Sequence, residues 1–234
     1  MTYFGGKAAP GVPQTLASWI PHHQIYLEAF LGHAALMLHK RPALINIGID
    51  LNSHALLHSR TAISQLNIPP QHQFSFARAN AITVLEAHHL TPDWFIFCDP
   101  PYPLETRTSN HRYQNDLTTP DHERLLSALT KSHAKILLTS IWNTLYADTL
   151  RGWYVRQYQN QTHAGITTET AWMNYQPPTH APYAPEPGQG YRQREAMRKQ
   201  RKRWTQKFAK MPPDQRQAIL NALLQTLRSA PPQP

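Results

Sequence analysis

The sequence contains 234 residues, of which 23 are Lys or Arg and 14 are Asp or Glu, and its formal net charge is +9. Its single cysteine, Cys98, excludes a disulfide-stapled scaffold and any multi-cysteine zinc or iron–sulfur site. The sequence contains neither a long apolar run nor the pattern of a secretory signal, so we expect a cytoplasmic protein without membrane contact.

The positive charge is concentrated near the end of the sequence. Residues 1–185 contain 12 basic and 11 acidic residues, a net charge of +1. Residues 186–234 contain 11 basic and 3 acidic residues, a net charge of +8. This asymmetry indicates a nearly neutral globular body that carries a cationic appendage for a polyanion.

Short apolar runs alternate with amphipathic segments along the first three quarters of the chain. The predicted strands are residues 25–30, 44–50, 74–77, 94–99, 136–140, 154–158 and 170–175. The predicted helices are residues 34–40, 53–65, 81–88, 121–131 and 144–150. This alternation is typical of a three-layer, Rossmann-like α/β fold with a mostly parallel sheet, and we assign it to residues 1–176.

The remaining residues have a different composition. Five prolines between residues 177 and 187 predict an extended linker over residues 177–190. Residues 191–210 contain nine basic residues, one acid and no helix breaker, and residues 214–227 have an apolar stripe at helical spacing. We therefore predict a basic helical tail over residues 191–234.

The most informative motif is Asp99-Pro100-Pro101-Tyr102, which directly follows an apolar strand candidate. A carboxylate at the carboxyl end of a parallel strand lies in the crevice where open α/β sheets bind ligands. The two prolines hold the backbone extended and fix the Pro100 carbonyl and the Tyr102 ring. Two acceptors and a flat ring suit a planar heterocycle with an exocyclic amine. The same residues could instead form only a tight exit from a strand.

Together with four other segments in the same order, this motif resembles the Dam-like, N6-adenine-specific DNA methyltransferases of bacteria and phages, whose catalytic motif is Asp-Pro-Pro-Tyr. The other segments are Tyr3-Phe4-Gly5-Gly6-Lys7 and residues 26–32, 48–52 and 168–175. The resemblance covers about residues 1–175. It implies an S-adenosylmethionine-dependent methyltransferase fold and S-adenosylmethionine as the cofactor.

The resemblance also implies roles for individual residues. Asp99 and the Pro100 carbonyl would accept the hydrogen bonds of the adenine amine, Pro101 would complete the rigid turn, and Tyr102 would stack on the base. The implied cofactor site consists of Tyr3, Phe4, Gly5, Gly6, Lys7, Glu28, Phe30, Gly32, Asp50 and Asn80.

The residues themselves support parts of this cofactor site. Lys7 can pair with the cofactor carboxylate, and Asp50 at a strand end can accept hydrogen bonds from a ribose diol. Gly5-Gly6 could equally be a flexible turn, and Asp50 an ordinary strand-end cap.

Three positions depart from the family pattern. Ala29 replaces a proline, Ala34 replaces a second glycine, and Asn80 replaces the acid that contacts the cofactor's adenine amine. The Asn80 carbonyl can still accept a hydrogen bond from that amine. These departures leave open a protein of low activity.

Neither covalent nor metal chemistry is indicated. Cys98 precedes the motif and has no basic neighbour in sequence to lower its pKa, so we interpret it as a core residue. The 14 histidines form no set with metal-ligand spacing. We expect neither a metal nor a covalent intermediate.

The resemblance implies double-stranded DNA as the partner, and an adenine must leave the duplex to reach such a site. Candidate DNA contacts lie in the loop after the motif, at Arg107, Asn110, Arg112 and Tyr113, and in the tail, at Arg198, Lys199, Arg201, Lys202 and Arg203. A solvated polar loop and a solvated charged helix are the plainer interpretations.

The sequence therefore predicts a site-specific, adenine-specific DNA methyltransferase, as a monomer in preference to an oligomer. Two alternatives remain. A methyltransferase for RNA or a protein amide usually has Asn in place of Asp99, and a catalytically degenerate nucleic-acid-binding protein would use mainly the tail.

Overall fold

The computed structural model describes residues 7–103, 116–162, 165–178 and 191–229. Within these residues, seven strands form one sheet in the order β3-β2-β1-β4-β5-β7-β6. The strands are β1 Ile25–Ala29, β2 Ile45–Asp50, β3 Gln73–Arg78, β4 Trp94–Cys98, β5 Lys135–Ser140, β6 Tyr154–Thr162 and β7 Gly165–Met173. The first five strands are parallel, and β7 pairs antiparallel with both β5 and β6.

Helices cover both faces of this sheet, and two further helices follow in the basic tail. In chain order they are α1 Val12–Ser18, α2 Ala35–His39, α3 Ser53–Ser64, α4 Ala81–Ala87, α5 Thr119–Lys131, α6 Thr144–Thr149, α7 Tyr191–Ala209 and α8 Pro213–Ser229. Side chains of α1 to α3 belong to the hydrophobic cluster on one face, and side chains of α4 to α6 belong to the cluster on the other. The three-layer, mostly parallel α/β fold expected from the sequence is confirmed.

The central strand β4 is apolar on both faces because helices cover it on both sides. Phe95 and Phe97 pack into the cluster of α1 to α3, whereas Ile96 and Cys98 pack into the cluster of α4 to α6. Successive residues of a strand point to opposite faces. The residue that follows Cys98 therefore belongs to the face of α1 to α3.

The strand order reverses between β1 and β4. The chain runs outward from β1 through β2 to β3, and then returns to place β4 on the other side of β1. Open α/β sheets bind ligands at such a reversal, outside the carboxyl ends of the strands. The segments that follow Ala29 and Cys98 meet there.

Most predicted elements lie within a few residues of the observed ones, and the differences have local causes. The sequence pattern does not predict helix α1, because seven residues with a left-handed Gly11 before them give a weak signal. The helix expected at residues 34–40 is the five-residue α2. Strands β6 and β7 extend as a hairpin well beyond the predicted segments, because their pairing continues to Gly165.

Residues 186–234 form a compact unit separate from residues 1–185. In this C-terminal unit α7 carries the basic run, and α8 begins with Pro213 and Asp214, residues that favour the first turn of a helix. No helix in the described part of the chain is both long enough and apolar enough to cross a membrane.

Gly48 on β2 gives a test of the packing next to the strand reversal. A Cβ at this position would lie 2.8 Å from Leu31 Cδ2 and 2.9 Å from Phe76 Cδ1. We expect Gly48→Ala to lower the free energy of unfolding by about 1–3 kcal/mol, because the buried Leu31 must move. Urea unfolding measures the change, with Ser75→Ala on the exposed side of β3 as the control. Equal stability of Gly48→Ala and wild type would contradict this packing.

Candidate active site

Polar side chains from separate strands meet on one face of the sheet, at the carboxyl ends of β4 and β5. Asp99 follows β4, and Thr139 occupies the adjacent position of β5 because Cys98 is paired with Leu138. On the antiparallel pair, Tyr158 of β6 lies opposite Glu169 of β7. The alternation of side chains along each strand turns all four toward α1 to α3.

Lys7 joins this group from the N-terminal segment. Its Nζ donates hydrogen bonds to both carboxylate oxygens of Asp99, at 2.5 and 2.6 Å, and to the Tyr102 hydroxyl at 2.8 Å. Thr139 Oγ1 donates to Asp99 Oδ1 at 2.8 Å. The Lys7 side chain is 2% exposed and the Asp99 side chain 14% exposed. Asp99 is therefore held in one orientation and keeps a narrow opening to solvent.

A second carboxylate approaches the same ammonium. Glu169 Oε2 lies 3.4 Å from Lys7 Nζ and accepts a 2.6 Å hydrogen bond from the Tyr158 hydroxyl. Asn160 Nδ2 donates to Glu169 Oε1 at 2.9 Å. Glu169 is 1% exposed. The site therefore contains one buried cation between two acids.

These contacts change the acidity of each group. Burial lowers the pKa of Lys7, but Asp99 and Glu169 together raise it above its usual value. Burial would raise the pKa of Glu169, yet Lys7 and the hydrogen bond from Tyr158 bring it below its usual value. Burial raises the pKa of Asp99, Lys7 opposes the change, and the Glu169 charge adds to it. The pKa of Asp99 is therefore raised and that of Glu169 lowered, while the two carboxylates share one cation.

The motif predicted to be catalytic is assembled at the strand reversal. Pro100 and Pro101 carry the chain away from β4, and the Tyr102 hydroxyl contacts Lys7. The Lys7 Nζ also lies 5.2 Å from the centroid of the Tyr102 ring. The structure thus brings Asp99 and Tyr102 together around Lys7. The predicted pairing of Lys7 with a cofactor carboxylate stays a prediction.

The loop after β1 contains several residues with unusual backbone angles. Phe30, Gly32 and Ala34 have φ values of 64°, 50° and 54°, all in the left-handed region. Such a conformation is strained in a non-glycine residue and is concentrated at functional sites. Ala34, where the family pattern has glycine, adopts the same conformation despite its methyl group.

Asp50 supports this loop from the end of β2. Its Oδ2 accepts a hydrogen bond from the Gly32 amide at 2.7 Å, and its Oδ1 accepts one from the Asn52 amide at 2.8 Å. Asp50 is therefore a strand-end cap as well as a candidate ligand for a ribose. Each carboxylate oxygen keeps a second lone pair.

Asn80, the predicted acceptor for the cofactor's adenine amine, is the N-cap residue of helix α4. Its Oδ1 accepts hydrogen bonds from the amides of Ile82 and Thr83, at 2.9 and 3.3 Å, and so caps helix α4. The hydrogen bond predicted from an adenine amine to this carbonyl stays a prediction, and it would compete with these two amide donors. The side-chain nitrogen would offer a donor instead.

Glu28 is buried beneath the loop. Its Oε2 accepts hydrogen bonds from the Tyr26 hydroxyl at 2.8 Å and from the Met37 amide at 3.0 Å. It thereby joins β1 to α2. Burial raises the pKa of Glu28 to about 8, although both hydrogen bonds and the nearby Lys40 oppose this change.

Cys98 is a core residue, as expected. It is fully buried, and burial together with the neighbouring Asp99 raises the pKa of its thiol. A thiol in that state is a poor nucleophile.

Several predicted positions cannot be placed. The residues outside the described part of the chain are Tyr3, Phe4, Gly5, Gly6, Arg107, Asn110, Arg112 and Tyr113. The side chains of Arg198 and Arg201 also lie outside it. Lys199, Lys202 and Arg203 are exposed on α7.

The sequence pattern does not identify Glu169, Tyr158 or Thr139 as site residues. Glu169 lies in a segment that resembles the family's closing strand, but its proximity to Lys7 carries no local signal.

No protein-family model and no curated protein sequence matches the chain. A methyltransferase from Methanosarcina mazei, described as dependent on S-adenosylmethionine, has a similar structure, with 12% identity, a TM-score of 0.49 and coverage of 68% of this chain and 95% of its own. A protein from Haemophilus influenzae provisionally described as a methylase has 16% identity, a TM-score of 0.48 and coverage of 70% and 89%.

A tRNA (uracil-54, C5)-methyltransferase from Pyrococcus abyssi, solved with S-adenosyl-L-homocysteine, has 15% identity, a TM-score of 0.45 and coverage of 69% and 36%. Because all three sequence identities are low, these structures do not identify the reaction of this chain. The reaction is inferred from the residues of the site.

Glu28 gives a pH-dependent prediction. The pKa of Glu28 is about 8 in the folded protein and 4.5 ordinarily, so the fold favours the protonated carboxyl group. This contribution to the free energy of unfolding is complete below about pH 4.5. This stabilisation is lost as the pH rises toward 8. Glu28→Gln retains the acceptor for Tyr26 and Met37 but does not titrate. Between about pH 5 and 9, the contribution of Glu28 to the free energy of unfolding of wild type should be lost. We expect the free energy of unfolding of Glu28→Gln to fall less over this range, by a difference of at least about 1 kcal/mol.

Urea unfolding at several pH values measures this difference. The control is Glu86→Gln, since Glu86 is exposed and its hydrogen bond with Arg124 lowers its pKa. The control should follow wild type throughout this range. Parallel curves for wild type and Glu28→Gln would contradict the assignment.

Proposed function

We propose that the protein transfers a methyl group from S-adenosylmethionine to the N6 amine of an adenine flipped out of DNA. The observation that carries this proposal is the orientation of Asp99 at the strand reversal, held by Lys7 and Thr139 and followed by Pro100-Pro101-Tyr102. An amine has two protons to donate, and the Asp99 carboxylate and the Pro100 carbonyl are two acceptors on adjacent residues.

These acceptors favour nucleophilic attack by the amine nitrogen. Hydrogen bonds to both N–H groups draw the lone pair away from conjugation with the ring and fix its direction. The Tyr102 ring offers a flat apolar surface for the base. Alignment of the reacting atoms can contribute about 7–11 kcal/mol to the rate, and a rigid Asp99 serves that alignment.

The neighbouring loop fits a nucleoside cofactor. The backbone of Phe30, Gly32 and Ala34 forms a tight left-handed turn at the strand reversal, and Asp50 lies beside it with lone pairs for a ribose diol. S-adenosylmethionine supplies a methyl group on a cationic sulfur. Asn80 fits an acceptor atom of the adenine ring better than the amine, since its nitrogen is the available group.

The DNA part of the proposal is supported by charge and chemistry. A base inside a duplex cannot reach Tyr102, so the adenine must flip out. The tail supplies exposed cations at Lys199, Lys202 and Arg203, and its Trp204 ring is half exposed. Phosphates and unstacked bases are ligands for such groups.

Labelled S-adenosylmethionine with unmethylated DNA provides the test of the reaction. We expect label on the N6 atom of adenine. Asp99→Asn should reduce kcat by about 10²–10³-fold, because an amide of the same size replaces a charged acceptor. Asp93→Asn, at the exposed amino end of the same strand, is the matched control and should label DNA as wild type does.

Other outcomes contradict specific parts of the proposal. Label on RNA or on a protein amide would contradict the DNA substrate. An absence of label on every substrate would support the catalytically degenerate protein, and full activity of Asp99→Asn would contradict the assigned site.

The tail gives a separate prediction about affinity. Replacing Lys199, Lys202 and Arg203 with Gln should weaken DNA binding. It should also reduce the slope of log K against log salt by about 0.9 for each phosphate that the variant no longer neutralises. The control replaces Arg41, Lys131 and Arg151, exposed cations of the other unit, with Gln. Fluorescence anisotropy at several salt concentrations measures both quantities. Equal slopes for the tail variant and wild type would contradict a role for the tail.

A further inference from the structure

Glu169 is a buried acid whose presence the proposed chemistry does not by itself explain. Removing a carboxylate from water costs several kcal/mol unless partners compensate for it. Glu169 has such partners, since Tyr158, Asn160 and Lys7 contact its two oxygens and Tyr102 also hydrogen-bonds to it. The protein thus holds a second negative charge near the acid of its motif.

Lys7 is the group that both acids share. It is closer to Asp99, at 2.5 and 2.6 Å, than to Glu169, at 3.4 Å. Without the charge of Glu169, the ammonium would neutralise Asp99 alone, and Asp99 would be a weaker acceptor for other donors. With Glu169 present, the Lys7 ammonium interacts with two carboxylates.

We propose that Glu169 is a positioning residue that keeps Lys7 shared between two carboxylates, so that Asp99 can accept the proton leaving the substrate amine. This inference rests on the proposed methyl transfer. In that reaction, the amine nitrogen forms a bond to the methyl carbon, and the carbon–sulfur bond breaks with its electron pair remaining on sulfur. The nitrogen then loses one proton to Asp99, whose narrow opening to solvent allows the proton to leave, while Lys7 stays protonated.

The electrostatics of the site agree with this division of roles. Burial and the charge of Glu169 raise the pKa of Asp99 against the opposing charge of Lys7. Burial would raise the pKa of Glu169, but Lys7 and the hydrogen bonds to its carboxylate lower it. The described titratable groups that interact electrostatically with Asp99 are Lys7, Glu28, Cys98, Tyr102, Tyr146, Tyr158 and Glu169. Among them, Glu169 is the acid that lies close to the same Lys7 ammonium as Asp99.

The variant Glu169→Gln removes the charge and keeps the size. We expect the pKa of Asp99, followed by carbon NMR of its carboxyl group in the protein without DNA or cofactor, to fall by about one unit or more. The acidic limb of the pH profile of kcat should move to lower pH by a similar amount. At high pH kcat should fall about tenfold with KM little changed, because a weaker base accepts the proton less readily.

Two further variants separate this role from a structural one. Glu86→Gln removes an exposed acid and should leave the pKa of Asp99 and the pH profile of kcat unchanged. Tyr158→Phe removes one hydrogen bond to Glu169. It should also lower the pKa of Asp99, but by less than Glu169→Gln does. If Glu169→Gln does not fold, Tyr158→Phe still tests the proposal. An unchanged pKa of Asp99 in a folded variant would overturn it.

The two readouts distinguish this inference from the proposed function. The NMR titration requires no reaction, so a shifted pKa in a protein that methylates nothing would preserve the link between the acids and contradict the methyl transfer. If wild type transfers methyl groups but the acidic limb of the kcat profile does not move in Glu169→Gln, the proposed function stands. The role of Glu169 is then overturned.

Discussion

The Lys7 ammonium, buried between Asp99 and Glu169, is the interaction on which the arrangement of the site depends. Its partners come from β4 and β7, and the hydrogen bonds around them come from β5 and β6. Two buried acids without the cation between them would be strongly unfavourable. The N-terminal segment and the strands must therefore be assembled together before any one of these charges is stable.

The sheet supplies the rigid frame for this cluster. Side-chain alternation places Asp99, Thr139 and Glu169 on one face, and the reversal between β1 and β4 opens the adjacent crevice. The left-handed residues Phe30 and Ala34 border the same reversal, and the Asp50 carboxylate ties their loop to β2. Charge and backbone strain are thus concentrated at the carboxyl edge of the sheet.

The two units of the chain divide the physical tasks. The first has almost no net charge and contains the buried network, whereas the second is helical and strongly basic. A diffuse positive charge attracts a polyanion without determining which atom reacts. Selection of the reacting atom requires fixed acceptors, and in the proposed reaction these are the Asp99 carboxylate and the Pro100 carbonyl.

The sequence by itself determined the strands, the helices longer than a few turns and the position of Asp99, because side-chain periodicity and proline restrictions act over a few residues. It also identified Cys98 as buried and the tail as basic. Tertiary structure alone decided that Lys7 contacts Asp99, that Glu169 and Tyr158 join them, and that the Asn80 carbonyl is occupied by a helix cap. The partners in the charged cluster are separated by many residues, and only the register of β5, β6 and β7 brings them within hydrogen-bond distance.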